Sequence, residues 1–183
     1  MSGGGRMAAI ERLERLKLLI VTGKGGVGKS TVAAAIGRLL TARGRRVLLL
    51  EVDPRESLHH LLDVQPSGGE IVPAGPGLFI QHLQPRELLD DIVRERLHLG
   101  ILARRVLESP VHQHFTEGAP GLKEAAIFGR VMKLLGGHHL GRAPRPDLVI
   151  LDAPATGHGA SLMAAPQLVS DVITSGPIGQ LAA

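Results

Sequence analysis

The chain has 183 residues, 21 Lys and Arg against 17 Asp and Glu, a formal net charge of +4 and no cysteine. This length suits one domain with a sizeable core, and the lack of cysteine excludes disulfides, iron–sulfur ligand sets and thiolate sites for zinc or arsenic. Because no apolar run approaches the roughly 20 residues of a membrane span and the N-terminus has no signal-peptide core, we expect a cytoplasmic protein without a transmembrane segment.

Positive charge is concentrated near the start of the chain. Residues 1–50 hold 10 Lys and Arg against 2 Asp and Glu, whereas residues 151–183 hold no Lys or Arg. A basic patch could bind nucleic acid, but no aromatic residues are interleaved to stack on bases. We interpret the excess as solvated faces and as helix ends, where Arg43, Arg45 and Arg46 suit the helix dipole.

The first predicted elements are a flexible lead at Met1–Gly5, a short helix at Ala8–Leu16, a strand and a longer helix. The apolar run Leu16–Val21 predicts a buried strand, and Ser30–Arg43 predicts the helix that follows it. The apolar positions of this helix are predicted to share one face: Val32, Ala35, Ile36, Leu39 and Leu40.

A glycine-rich loop joins that strand to that helix. Gly23-Lys24-Gly25-Gly26-Val27-Gly28-Lys29-Ser30 fits the phosphate-loop pattern G-x-x-x-x-G-K-[ST] at every fixed position, and Thr31 follows. Its glycines let successive N–H groups point at an anion, beside the positive end of the helix dipole. Lys29 is predicted to contact the outer phosphates, and Ser30 to offer its hydroxyl to Mg²⁺. The loop predicts a nucleotide site.

The second predicted strand, Arg46–Val52, ends at an acidic residue that precedes a proline. The alternation of strands and helices predicts an α/β fold with a doubly wound, mostly parallel sheet, in which ligands bind at the carboxyl ends of strands. Asp53 lies at such an end and could orient an attacking water, but it could equally cap a helix that begins at Pro54. Glu51 is interpreted as a structural or rim acid.

The rest of the chain is predicted as one domain, 1–183, with a helical insertion at 85–140. Residues 66–77 are rich in proline and glycine and predict an irregular connection, and Leu78–Leu83 predicts a third strand. The insertion's apolar residues could pack as core against the sheet or form a groove for an apolar partner.

The fourth predicted strand, Leu148–Leu151, is followed by Asp152. An acid at the end of an apolar strand is the second half of a phosphate-loop site and holds Mg²⁺ directly or through water. The following turn contains Thr156, Gly157 and His158, and its backbone could move toward or away from a γ-phosphate as a switch.

The loop contains a second lysine, Lys24, and the stretch Lys24–Thr31 resembles the deviant Walker A loop of P-loop NTPases. Partitioning, septum-site, nitrogenase-iron-protein and arsenical-pump ATPases share that loop. In these proteins the extra lysine reaches across a dimer interface to the partner's nucleotide. The resemblance implies that Lys24 acts in catalysis by stabilising charge on the transferred phosphoryl group, as an arginine finger does. A solvated lysine at the start of a loop is the alternative.

Three further segments resemble the ArsA-like family of arsenical-pump and tail-anchored-protein-targeting ATPases. They are Val52-Asp53-Pro54 with Ser57-Leu58, Pro120-Gly121-Leu122-Lys123-Glu124, and Asp152 through His158. The resemblance implies ATP hydrolysis with Mg²⁺ by a homodimer, with Asp53 as the catalytic carboxylate. It also implies that the helical insertion meets a client or a membrane partner protein, whose identity the resemblance does not supply.

The chain also departs from the family. Family members are longer and carry cysteines for zinc or arsenite, and the first strand here is apolar on both faces and should lie mid-sheet. With four predicted strands, we expect an incomplete domain or a sheet completed by another chain. Two alternatives stay open: a nucleotide-binding module with little turnover, and a partitioning-type ATPase that coats DNA or membrane.

Overall fold

The computed structural model of the protein describes residues 3–52, 57–96 and 122–154. Contacts group these residues into two compact units, one of residues 3–82 with 133–154 and the other of residues 83–96 with 122–132. Among the described residues, the first unit contains a sheet and three whole helices, and the second unit is helical. Among the described residues, no helix is both long enough and apolar enough to cross a membrane.

In the first unit, helices and strands alternate as far as the third helix, and the three elements that come after it are strands. In chain order they are α1 (Gly3–Arg15), β1 (Leu18–Val21), α2 (Lys29–Thr41), β2 (Val47–Glu51), α3 (Ser57–Leu62), β3 (Val72–Gly75), β4 (Leu78–His82) and β5 (Leu148–Asp152). The second unit contains α4 (Pro85–Arg96) and residues 122–132 of α5 (Leu122–Leu135).

The five strands form one sheet in the order β1-β5-β2-β4-β3. The pairs β1–β5, β5–β2 and β2–β4 are parallel, and β3–β4 is antiparallel. Every residue of β2 and β5 is buried, as expected of strands that are covered on both faces. The mostly parallel α/β sheet predicted from the sequence is confirmed.

The position of β1 differs from the prediction. The sequence places this strand mid-sheet, but in the described part of the chain it is the outermost strand and pairs with β5 on one side. Its four residues are half-buried, and Leu19 and Val21 pack against the core. Contact with the core therefore accounts for Leu19 and Val21, which share one face of the strand.

Two segments predicted to be irregular contain regular structure in part. Helix α1 begins at Gly3 within the predicted flexible lead, and Leu13 and Glu14 near its other end contact the core and Arg43, respectively. Tertiary anchoring of this kind overrides weak local helix propensity. The segment 66–77 contains β3, where Pro73 is tolerated because an edge strand need not donate from every residue.

Helix α2 packs on the sheet largely through small residues, and the predicted face is partly wrong: Leu40 is buried and Ile36 packs against the core, but Val32, Ala35 and Leu39 are exposed. Its buried residues are Ala33, Ala34, Gly37 and Leu40, whereas Val32 and Leu39 are 48% and 39% exposed. A Cβ built on Gly37 would lie 3.2 Å from methyl carbons of both Leu49 and Leu78. The close approach of helix and sheet thus favours glycine at position 37, while Val32 and Leu39 lie on the outer side of the helix.

The amino ends of three strands are joined by two arginines. Arg45 Nη2 donates to the carbonyls of Leu16 and Asp147 at 3.0 and 2.8 Å. The Arg46 guanidinium contacts both carboxylate oxygens of Asp147. This hydrogen bonding lowers the pKa of Asp147 from its ordinary 3.8 to about 2. Arg45 and Arg46 therefore connect the amino ends of these three strands. Their interpretation as cations at a helix end is incomplete.

Candidate functional site

The carboxyl ends of three neighbouring strands define one edge of the sheet. In the register, Asp152 at the end of β5 pairs with Val21 of β1 on one side and with Glu51 of β2 on the other. The glycine loop leaves β1 directly after Val21. The fold therefore brings the phosphate-loop sequence and Asp152 to the same edge, where parallel α/β sheets bind ligands.

The backbone of the loop requires glycine at two positions. Gly26 and Gly28 have φ values of +78° and +87°, in the left-handed region that L-residues rarely adopt. A Cβ at either position would meet no protein atom within 4 Å. The need for glycine therefore comes from the backbone conformation, since the described chain leaves space beside both residues.

The start of α2 presents backbone donors to that space. Gly28 is the N-cap and supplies no side-chain cap, and the first helical hydrogen bond joins the Val32 N–H to the Gly28 carbonyl at 2.9 Å. The N–H groups of Lys29, Ser30 and Thr31 precede that bond and have no acceptor within the helix. Uncapped N–H groups at the positive end of a helix dipole suit an anion.

The two lysines of the loop differ in their surroundings. Lys29 is half-buried, and its Nζ lies 3.4 Å from the carbonyl oxygen of Lys24, which is a long contact for a hydrogen bond. A phosphate oxygen would form a stronger, charge-assisted bond to the same ammonium. The Lys24 side chain is exposed at the surface, as are Gly25 and Val27.

A chain of hydroxyls joins the loop to strand β2. Ser30 Oγ lies 3.2 Å from Ser57 Oγ, and Ser57 Oγ lies 2.6 Å from Glu51 Oε1. The N–H groups of Ser57 and Leu58 also donate to the Glu51 carboxylate, at 2.6 Å and 3.1 Å. Glu51 is 3% exposed and caps the start of α3. Sequence reasoning named Ser57 only as part of a segment that resembles the family, and it missed the hydrogen bonds of Ser57 to Ser30 and Glu51.

The oxygen donors at this edge suit Mg²⁺. Ser30 supplies a hydroxyl and Asp152, which is 2% exposed, supplies a carboxylate. Hard oxygen ligands are those that Mg²⁺ prefers, and it is usually held by one or two protein groups together with phosphates. The described residues contain no group of three or more His, Cys, Asp or Glu that would form a cage of protein ligands. The donor set therefore fits Mg²⁺ bound with a nucleotide.

A small cavity lies behind the end of β2. Its volume of about 10 Å³ has room for about one water molecule. It is too small for a nucleotide base. Among the described residues, the buried His59 Nδ1 and Gln81 Oε1 beside it have no hydrogen-bond partner. The cavity is lined by Glu51, Leu58, His59, Ser67, Ile80, Gln81 and His82.

Four predicted site residues lie outside the described residues: Asp53, Thr156, Gly157 and His158. The catalytic role of Asp53 and the switch role of the other three stay predictions. Of the remaining predicted residues, the structure brings Gly23 to Thr31 and Asp152 to one edge of the sheet.

Comparison with known proteins gives a consistent result. The profile of the anion-transporting ATPase family, ArsA, matches residues 16–178. The chain is 31% identical to the ATPase BagA of Mycobacterium tuberculosis over 97% of this chain and 54% of that protein. It is 27% identical to ATPase ASNA1 homolog 2 of Paramecium tetraurelia over 84% and 45%, respectively. It is 32% identical to the arsenical pump-driving ATPase of Acidiphilium multivorum over 88% and 27%. The chain spans about half the length, or less, of these curated relatives.

Proposed function

Because this chain belongs to the anion-transporting ATPase family, we propose that it binds ATP with Mg²⁺ at the loop Gly23–Ser30 and hydrolyses it to ADP and phosphate. The observation that carries the proposal is the position of the uncapped start of α2 and of Lys29, at the same sheet edge as Asp152. Backbone donors, a cation and an acid at one edge are the parts that phosphoryl transfer needs.

In this proposal each residue of the site has its own role. The N–H groups of the loop and of Thr31 bind the phosphates, and the Lys29 ammonium contacts the outer ones. Ser30 and Asp152 would hold Mg²⁺, which neutralises charge on the phosphate oxygens when it is bound. In this proposal Asp53 orients the attacking water, so that catalysis rests on geometry and electrostatics more than on covalent chemistry.

The assembly belongs to the same proposal. Lys24 is exposed, so its ammonium is available to a second copy of the chain, and a homodimer would bring it to the partner's nucleotide. Thr156, Gly157 and His158 would sense the γ-phosphate, and the insertion at 85–140 would meet an unidentified client or membrane partner protein. A cytoplasmic location stays a prediction from the sequence.

A second candidate is a nucleotide-binding module with little turnover. It requires only the N–H groups at the start of α2 and the Lys29 ammonium, which can hold a nucleotide without a residue that orients an attacking water.

One experiment on the purified full chain tests binding and hydrolysis together. Affinity for a fluorescent ATP analogue is measured with Mg²⁺ and with EDTA, and phosphate release is measured in parallel. Lys29→Ala is the test variant and Lys17→Ala is the matched control, because Lys17 precedes β1 outside the loop. Binding and turnover that depend on Lys29 support the proposal. Tight binding without turnover favours the module, and no Mg²⁺-assisted binding by the parent chain contradicts both.

A further inference from the structure

The hydroxyl of Ser57 can donate only one hydrogen bond, although two acceptors lie within reach. Glu51 Oε1 lies at 2.6 Å and Ser30 Oγ at 3.2 Å. A hydroxyl has a single hydrogen, and a carboxylate is the stronger and here the closer acceptor. Ser57 therefore donates to Glu51, and its own lone pairs are left to accept from Ser30.

This direction fixes the hydroxyl of Ser30. When Ser30 donates to Ser57, its hydrogen points toward β2 and α3, and its lone pairs point away from them. A cation is bound by the lone pairs of an oxygen, so a hydroxyl that binds one must direct its hydrogen elsewhere. In water a free hydroxyl group samples several orientations. Here the buried Glu51 carboxylate, at the end of this series of hydrogen bonds, selects one of them.

We propose that Glu51 is a positioning residue that acts through Ser57 to hold the Ser30 hydroxyl with its lone pairs toward Mg²⁺. The inference rests on the proposed function and adds two residues to it. Glu51 also accepts from the N–H groups of Ser57 and Leu58, so it sets the position of Ser57 as well as the direction of its hydrogen bond. Both roles come from one carboxylate that is 3% exposed.

The two roles of Glu51 can be separated by substitution at Ser57. Ser57→Ala removes the hydroxyl and keeps the backbone N–H that Glu51 binds, so the cap of α3 stays in place. Ser57→Thr restores a hydroxyl at the same position. Glu51→Gln keeps the shape of the side chain and replaces the charged acceptor by a weaker neutral one. Ser67→Ala is the control, because Ser67 Oγ is a buried acceptor for the His82 N–H and has no contact with Ser30 among the described bonds.

The measurement is the Mg²⁺ concentration that gives half of the increase in affinity for a fluorescent ATP analogue, together with the affinity in EDTA. Ser57→Ala should raise that concentration about fivefold, the effect of one hydrogen bond, and leave the affinity in EDTA within about twofold. Glu51→Gln should raise it by a smaller factor. Ser57→Thr and Ser67→Ala should resemble the parent chain.

Two results would overturn the inference while the proposed function stands. One is an Mg²⁺ requirement of Ser57→Ala within about twofold of the parent's. The other is an equal loss of affinity with Mg²⁺ and with EDTA, which would mark a general structural defect. A parent chain whose affinity does not increase with Mg²⁺ would instead overturn the proposed function, and this inference with it.

Discussion

The guanidinium of Arg46 binds both carboxylate oxygens of Asp147, with Nη2 2.9 Å from Oδ1 and Nε 3.2 Å from Oδ2. The Arg46 backbone N–H donates to the same carboxylate at 2.9 Å, so the start of β2 is joined to the residue that precedes β5. These bonds lie at the edge of the sheet opposite the glycine loop. They stabilise the fold and, within the described residues, make no contact with the glycine loop.

The Arg46–Asp147 pair is predicted to make a pH-dependent contribution to the free energy of unfolding. The folded-state pKa of Asp147 is lowered to about 2 from 3.8, chiefly by the Arg46 side chain, so the charged carboxylate stabilises the fold above pH 4. This contribution is lost as the pH falls from about 4 toward 2. Asp147→Asn should therefore lower the urea midpoint of unfolding at pH 7 and change it less at pH 3. A deficit of the same size at both pH values would contradict the electrostatic account.

The close contact of helix α2 with the sheet predicts that a larger side chain at Gly37 destabilises the fold. Gly37→Val would place methyl groups against Leu49 and Leu78, and overpacking of this kind costs about 1–3 kcal/mol of unfolding free energy. The matched control is Gly129→Val in α5, where a Cβ would meet no atom of the described residues within 4 Å. We expect the control to change the free energy of unfolding by less than about 0.5 kcal/mol. Denaturant unfolding measures both, and equal losses would refute the close-approach argument.

Substitution of Asp152 is predicted to raise the Mg²⁺ concentration that turnover requires. Asp152→Asn removes the negative charge at the end of β5 and keeps the size of the side chain, so Mg²⁺-dependent turnover should require more metal. Phosphate release is measured over a range of Mg²⁺ concentrations, and affinity for ATP in EDTA serves as the control. An unchanged requirement for Mg²⁺ would reject this residue as part of the metal site.

If Lys24 acts on the nucleotide of a second copy, two inactive variants of the chain should complement each other. Lys24→Ala should bind ATP nearly as well as the parent and lose turnover by about 10²-fold or more, because it removes a charge that acts in the transition state. Lys29→Ala should bind ATP poorly and still carry Lys24. A mixture of the two variants should therefore recover part of the turnover, since one copy binds ATP and the other supplies the lysine. Parent-like turnover in Lys24→Ala would show that the lysine is only solvated.

The sequence was sufficient for the parts of the candidate site that depend on local pattern. The glycine loop is contiguous, and Asp152 directly follows an apolar strand, so the spacing of residue types along the chain placed both at strand ends. Parallel pairing then brings such ends to one edge of the sheet. The same reasoning covers β2 and β5, which are apolar up to a final acid, and β4, which begins with the apolar run Leu78–Ile80.

The remainder depends on contacts between distant parts of the chain. Helix α2 is apolar around much of its surface, so the sequence does not show that Gly37 rather than Val32 faces the sheet. The hydroxyl chain joins Ser30 to Ser57, 27 positions apart, and requires the backbone of both elements to be known. Strand β3 is visible only as a partner of β4, because proline and glycine carry no strand pattern of their own.

The strand order has a consequence for synthesis on the ribosome. Strand β5 lies between β1 and β2, so these two early strands lack their shared neighbour until Leu148–Asp152 has been made. At about 5–20 residues per second, β5 follows β1 by roughly 6–25 s. During that interval the facing edges of β1 and β2 have no partner strand, and unpaired strand edges of this kind favour aggregation.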